Sequence, residues 1–157
     1  MELRRSGRRA RGTAIALLMA GLLVIGPNLA GAGAEQRDGR RMQMVSLTNL
    51  DREKHDRAAL RFQARISRYA KDHSRAMARK GYIYHSTEEQ LRNVLDGQDW
   101  SIGGENVGVG GTLESLEQAF MASKLHRENI LRKTYDHMAV GIVRADGGLW
   151  ITVIFYG

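Results

Sequence analysis

The chain has 157 residues and no cysteine. Disulfide bonds, nucleophilic cysteine catalysis and cysteine-based zinc sites are therefore excluded. Its formal net charge is +7, from 24 Lys and Arg against 17 Asp and Glu. The first 34 residues hold five of the arginines and one of the glutamates, so the remainder has 19 basic and 16 acidic residues and a net charge of +3. This small excess does not favour nucleic acid as a partner.

The first 34 residues have the three parts of a secretory signal peptide. A segment with five arginines precedes a mostly apolar run at 14–25, and small residues follow Pro27. Cleavage after Ala32 and cleavage after Ala34 both fit this pattern. Because a membrane-spanning helix needs roughly 20 apolar residues, we interpret residues 1–34 as a signal peptide. We expect a secreted or cell-envelope protein, attached to a membrane only if the signal stays uncleaved.

The remaining residues are enough for one domain with a single core. Residues 35–41 are polar and without periodicity, which predicts a linker, and residues 42–157 form the predicted domain. We expect it to be a monomer.

Helical patterns dominate the first half of this domain. Apolar residues recur every three positions within 42–54, and an amphipathic pattern with one charged face extends over 63–80. The charged face is interpreted as a solvated surface. Gly81 follows where a left-handed helix end is expected, and Ser86 with Glu89 predicts a capping box for a short helix after it.

The second half combines a helix with strands. The glycine-rich segment 100–111 is predicted to be a loop or a short strand, and Thr112 is a suitable N-cap for a further helix. Alternating apolar residues at 137–144, a turn at 146–148 and the β-prone segment 149–156 predict a hairpin whose second strand is central and buried. The fold class is therefore α+β, with helices packed on a small sheet.

Three polar side chains are candidates for a functional site, namely His85, Glu105 and His126. They lie about 20 residues apart on separate elements, so only the fold can bring them together. Two imidazoles and a carboxylate suit Zn²⁺ or a similar cation, and they also suit acid–base chemistry without metal. Ordinary structural roles remain open, because His126 could complement a helix dipole and Glu105 could bond to nearby backbone N–H groups.

At these residues the chain resembles bacterial members of the CAP superfamily, which contains cysteine-rich secretory proteins, insect antigens and plant pathogenesis-related proteins. The matching motifs follow one another along nearly the whole domain: Asn49-x-x-Arg52, Ala70-x-x-His73-Ser74-x-x-Met77-Ala78-x-x-Gly81, His85-Ser86, Gly104-Glu105-Asn106-Val107, Ser123-x-x-His126-Arg127-x-Asn129-Ile130-Leu131, Val140-Gly141-Ile142-Val143, Trp150 and Phe155-Tyr156-Gly157. The resemblance implies an α-β-α sandwich with a three-stranded antiparallel sheet.

The resemblance also implies a cleft lined by two histidines and, in many animal members, two glutamates. His85 and His126 match the histidines and Glu105 matches the first acid, whereas the second acid falls near Ser123, where no acid is present. Glu117 is too far around its helix to replace it. Asn106 and Asn129 match positions that brace the backbone, and His73 is interpreted as a hydrogen-bonded core residue.

Two functions follow as hypotheses. The first is a non-enzymatic binding module for an extracellular or cell-envelope ligand, whose cleft holds a divalent cation such as Zn²⁺ at His85 and His126. The alternative is a metal-assisted extracellular hydrolase of peptidase type, in which Glu105 acts as the general base. Lipid or sterol binding, which also occurs in the superfamily, is a third and weaker hypothesis, because the sequence has no long apolar loop.

Overall fold

A computed structural model describes residues 29–157. Most of the predicted signal peptide, residues 1–28, lies outside the described residues. Within the described part, no helix is both long enough and apolar enough to cross a membrane. The elements in chain order are α1 (Leu29–Lys54), β1 (Arg61–Phe62), α2 (Ala64–Lys80), α3 (Glu88–Leu95), β2 (Gly103–Gly110), α4 (Leu113–Ala122), α5 (Lys124–Ile130), β3 (His137–Ala145) and β4 (Gly148–Tyr156).

Within residues 29–157 the sheet has four strands in the order β1-β3-β4-β2. Strands β2, β4 and β3 are antiparallel, and the two-residue strand β1 adds to β3 in the parallel direction. The predicted hairpin is confirmed, with a turn at Asp146 and Gly147, both of which have positive φ. The second hairpin strand is central and buried, as predicted. The short strand β1 is an addition to the three-stranded sheet that the family resemblance implies.

Helices cover both faces of this sheet, so the predicted α-β-α sandwich is confirmed. On one face, α2 and α3 pack on side chains such as Ala139 and Ile154. On the other face, α1, α4 and α5 enclose a larger core that includes Phe120, Val140 and Val153. The alternation of β-strand side chains explains the two cores, because neighbouring residues of β3 and β4 point to opposite faces.

Two local predictions differ from the structure, and for a third the structure decides between two alternatives. Residues 35–41 are not a linker but part of α1, since extending an existing helix, here the packed segment 42–54, costs less than starting a new one. The capping box lies one residue further along, with Thr87 and Gln90 instead of Ser86 and Glu89. The glycine-rich segment, predicted to be a loop or a short strand, contains the eight-residue strand β2, whose pairing with β4 supplies hydrogen bonds in spite of its low strand propensity.

Gly141 in β3 lies where α2 passes closest to the sheet. A Cβ at this position would overlap the backbone of Ala70 and Lys71. We expect Gly141→Ala to reduce the free energy of unfolding by about 1–3 kcal/mol, as overpacking of a core does. Denaturant unfolding measures this loss. Gly111→Ala is the matched control, because a Cβ there meets no atom within 4 Å, and an equal loss in both variants would contradict the explanation.

Candidate functional site

The fold brings His85, Glu105 and His126 together at the outer edge of the sheet, in the region that we call the cleft, where His85 is hydrogen-bonded to Glu105 and interacts electrostatically with His126. His85 lies in the connection between α2 and α3, Glu105 lies in the edge strand β2, and His126 lies in the short helix α5. Glu105 is buried, whereas 58% of the His85 side chain is exposed. The site therefore combines a buried acid with an accessible imidazole.

Glu105 is held by hydrogen bonds to both of its carboxylate oxygens. Its Oε1 accepts from the Ser86 backbone N–H at 2.9 Å, and its Oε2 accepts from the Ser86 hydroxyl at 2.7 Å. His85 Nδ1 lies 2.9 Å from Oε1. Since a carboxylate can only accept, Nδ1 carries the proton and the His85 Nε2 lone pair is directed away from Glu105.

His126 completes the site from the other side of β2. Burial lowers the pKa of His126, and nearby His85 lowers it further when His85 is protonated. Its ring packs on Phe120, with 5.0 Å between the ring centroids. The lowered pKa favours the neutral imidazole, which is the form that binds metal ions.

Two asparagines join β2 to α5 and so fix the distance between the acid and His126. Asn106 Nδ2 donates to the His126 carbonyl at 3.1 Å. Asn129 Nδ2 donates to the Asn106 side-chain oxygen at 2.9 Å and to the Glu105 carbonyl at 3.2 Å. Asn106 in strand β2 and Asn129 in helix α5 therefore link these two elements through side-chain and backbone hydrogen bonds.

Ser86 and Tyr69 belong to the site, although the sequence analysis did not assign them to it. The Tyr69 hydroxyl donates to Ser86 Oγ at 2.9 Å, and Ser86 Oγ in turn donates to Glu105. Ser86 is fully engaged by Glu105, which explains why Thr87 caps α3 in its place. The His85-Ser86 motif was the available signal, but its serine also fitted a helix cap.

No second acid joins the cleft among the described residues. Ser123 lies between α4 and α5 and is the C-cap of α4. Glu117 is on α4, buried near Thr48 and Asp51 of α1, and the groups that influence its pKa include none of the cleft residues. Glu117 thus points away from the cleft, as its position on the helix predicts.

The remaining histidines have structural roles. His73 is buried, donates from Nε2 to the Tyr84 carbonyl at 2.8 Å and contacts the Tyr84 ring, which confirms it as a core residue. His55 bonds to a backbone carbonyl at the end of α1. His137 stacks on Tyr156 with 4.8 Å between ring centroids.

The donor set of the cleft fits a cation only in part. Residues 29–157 contain no cluster of three His, Cys, Asp or Glu side chains that could hold a metal ion. Glu105 accepts three hydrogen bonds and its side chain is only 2% exposed, so the more accessible protein ligands are the His85 and His126 imidazoles. A carboxylate that orients an imidazole through Nδ1 is a common arrangement behind metal-ligating histidines.

The architecture and cleft define an α-β-α sandwich domain with a His/Glu site at the edge of its sheet. Residues 45–155 match the cysteine-rich secretory protein (CAP) family. The chain belongs to this family.

Two similar proteins come from Bacillus species. The chain is 30% identical over 115 residues to the Bacillus subtilis protein YkwD, a match that covers 69% of this chain and 44% of YkwD. The structure resembles an extracellular SCP-domain protein of Bacillus anthracis, with a TM-score of 0.69, 22% identity and coverage of 83% of this chain and 44% of that one. The chain thus spans less than half the length of these relatives.

A third similar protein has almost the same extent as this chain's domain. It is an outer surface protein of Borrelia burgdorferi, with a TM-score of 0.63, 17% identity and coverage of 74% of this chain and 90% of that one. At these identities the structural similarities establish the fold alone.

Proposed function

We propose that this protein is an exported binding module, with a cleft that binds a divalent cation such as Zn²⁺ through His85 and His126. The remaining coordination positions are filled by water or by donor atoms of a bound ligand. The observation that carries this proposal is the hydrogen bond from His85 Nδ1 to buried Glu105, which leaves Nε2 accessible and oriented for a ligand.

The state of Glu105 supports binding over hydrolysis. A general base needs a free lone pair within reach of the proton that it removes. Glu105 Oε1 accepts two hydrogen bonds and Oε2 accepts one, and because only 2% of the side chain is exposed, the remaining lone pair of Oε2 is shielded from a bound substrate. Glu105 therefore serves better as the group that orients His85 than as the catalytic base of a hydrolase.

Export is supported by two observations. The first 34 residues have the pattern of a signal peptide, and the similar proteins of B. anthracis and B. burgdorferi are described as extracellular and outer surface proteins. The ligand is accordingly an extracellular or cell-envelope component.

Calorimetric titration with Zn²⁺ at pH 7.5 tests the cation site. We expect His85→Ala and His126→Ala each to weaken Zn²⁺ binding at least ~10-fold, because each removes one of two protein ligands. His55→Ala is the control, since His55 lies at the end of α1 with its Nδ1 on a backbone carbonyl. Unchanged Zn²⁺ affinity in both cleft variants would refute the site.

A further inference from the structure

Helix α2 concentrates the positive charge of the domain. It contains six Lys and Arg residues and one Asp, which give it a net charge of +5. Residues 35–157 together have a net charge of +3, so the part of this segment outside α2 has a net charge of −2. The small basic excess of the sequence is therefore a strong basic excess at one place in the fold.

The outward face of α2 is a narrow row of charged side chains, four of which are arginines. We call it the arginine stripe, and its members are Arg65, Arg68, Asp72, Arg75 and Arg79. All five are exposed, and at about 3.6 residues per turn they fall within about 80° of the helix circumference. They lie opposite the buried residues of α2, which pack on the sheet. At about 1.5 Å per residue, the arginine stripe is about 21 Å long.

Two guanidinium groups of the arginine stripe are available to a ligand. Arg75 is paired with Asp72, and Arg65 is hydrogen-bonded to a backbone carbonyl. Neither Arg68 nor Arg79 has a hydrogen bond or an ion pair within residues 29–157. Because each guanidinium presents five N–H donors in a fixed fork, unpartnered donors lie towards both ends of the arginine stripe.

This arrangement is not the one expected of a solvated helix face. Solvated faces typically alternate in the sign of their charges. The arginine stripe instead places Arg65 beside Arg68 and Arg75 beside Arg79, at the i,i+3 and i,i+4 spacings where like charges destabilise a helix. The first turn of α2 also lacks an acidic residue, so nothing there offsets the positive end of the helix dipole. An anionic partner would relieve the repulsion along the whole row.

We propose that the arginine stripe of α2 binds a linear polymer that carries a phosphate group on each repeat. Arginine suits this chemistry, because its planar fork forms paired hydrogen bonds with phosphate oxygens. A row that is one side chain wide and about 21 Å long fits an extended chain with several charges. This function goes beyond the cation site of the cleft and does not depend on it.

Two other anionic partners fit the arginine stripe less well. A basic helix that binds a membrane surface inserts its apolar face into the lipid, but the apolar face of α2 is buried in the domain core through residues such as Ile66 and Ala70. Proteins that bind single-stranded nucleic acid stack the bases on aromatic side chains, and the arginine stripe has none. A phosphate polymer without bases requires only positive charge and N–H donors.

Calorimetric titration with linear inorganic polyphosphate, in buffer without divalent cations, tests the proposal. The double variant Arg68→Gln/Arg79→Gln removes the two unpartnered guanidinium groups and keeps a residue of high helix propensity at both positions. Lys133→Gln/Arg144→Gln is the matched control, because it removes the same charge from two exposed residues outside α2. All four positions are exposed, so both variants retain the fold.

We expect the Arg68→Gln/Arg79→Gln variant to bind polyphosphate at least ~10-fold more weakly than the control, and the affinity of the natural chain to fall at least ~10-fold between about 50 mM and about 200 mM NaCl. Zn²⁺ affinity should be the same in the natural chain and in both variants, which separates this proposal from the cation site. Absent polyphosphate binding or an equal loss in the two double variants would overturn the proposal. Tighter binding to oligothymidylate, or to vesicles of anionic phospholipid, than to polyphosphate would also overturn it, in favour of nucleic acid or a membrane.

Discussion

Replacing Arg52 with methionine is expected to lower the free energy of unfolding by about 3–5 kcal/mol, the largest effect that we predict for a single substitution. Arg52 lies on α1 and is fully buried. Its guanidinium donates to the carbonyls of Ala58, Ile130, Arg132 and Tyr135 at 2.7–3.2 Å. Hydrogen bonds to a charged group are worth roughly 1.5–3 kcal/mol each, and removing the donor leaves buried carbonyls without partners. The estimate is below their sum because methionine needs no desolvation of a charge.

Arg57→Met is the control for this prediction. Arg57 also donates to carbonyls, at Leu131, His55 and Asp56, but it is only partly buried. Water can replace it there, so we expect a loss of at most about 1 kcal/mol. Urea unfolding at constant m-value measures both losses. Similar losses in both variants would show that the buried carbonyls next to Arg52 are hydrated as easily as the exposed ones.

The role of Arg52 shows what a single sequence does not reveal. The motif Asn49-x-x-Arg52 was noticed because it resembles a family pattern, and nothing in its spacing indicates a buried guanidinium. The four carbonyls that it binds come from segments up to 83 positions further along the chain. Only the tertiary fold brings these acceptors together.

Elements with strong periodicity could be predicted from the sequence. Helix α2 has one apolar face and ends at Gly81, which has a positive φ. The β3–β4 hairpin has apolar strands and turns at Gly147, which also has a positive φ. The sequence predicts strand β2 only as one of two alternatives, because glycine has a low strand propensity and packing explains these glycines. A Cβ on Gly108 would press on Phe120 at 3.1 Å, and one on Gly110 would meet Leu116 at 2.9 Å.

The candidate site could be predicted as a set of residues but not as an arrangement. Motif resemblance identifies His85, Glu105 and His126, and the structure shows His85 hydrogen-bonded to Glu105 and interacting electrostatically with His126. The role of each residue depends on its hydrogen bonds in the fold. Glu105 accepts three of them and orients His85. The spacing of Ser86 and Glu89 predicts a helix cap. Local spacing cannot show that Ser86 instead bonds to Glu105, which is 19 residues further along the chain.

Glu117 is expected to make the stability of the protein fall as pH rises, and Glu117→Gln is expected to remove most of this dependence. Glu117 is 2% exposed, and within residues 29–157 neither its carboxyl oxygens nor the Thr48 hydroxyl has a hydrogen-bond partner of good geometry. Burial raises the pKa of Glu117 to about 7, the Thr48 hydroxyl opposes the rise, and the charge of Asp51 adds to it. The protonated acid is therefore the form that the interface of α1 and α4 accommodates.

The direction of the effect follows from proton linkage. With a pKa of about 7 in the folded state and an ordinary value of 4.5 when unfolded, the folded state binds the extra proton between these pH values. The stabilisation is complete below pH 4.5, decreases between pH 4.5 and pH 7 and is lost above pH 7. The total decrease in the free energy of unfolding is about 3 kcal/mol. At pH 8 Glu117→Gln should be more stable than the natural chain by up to about 3 kcal/mol, and at pH 4 the two should be about equal.

Urea unfolding at intervals from pH 4 to pH 8 measures the predicted convergence and divergence of the two stability curves. Glu114→Gln is the matched control on the same helix, because Glu114 is exposed and bonds to Gln43 at the surface. Its stability curve should remain parallel to that of the natural chain, with a difference of no more than about 0.5 kcal/mol. If the Glu117→Gln curve is also parallel, the carboxyl is hydrated in solution and the α1–α4 interface is open to water at this point. If it diverges as expected, protonation of Glu117 at the α1–α4 interface controls the free energy of unfolding between pH 4.5 and pH 7.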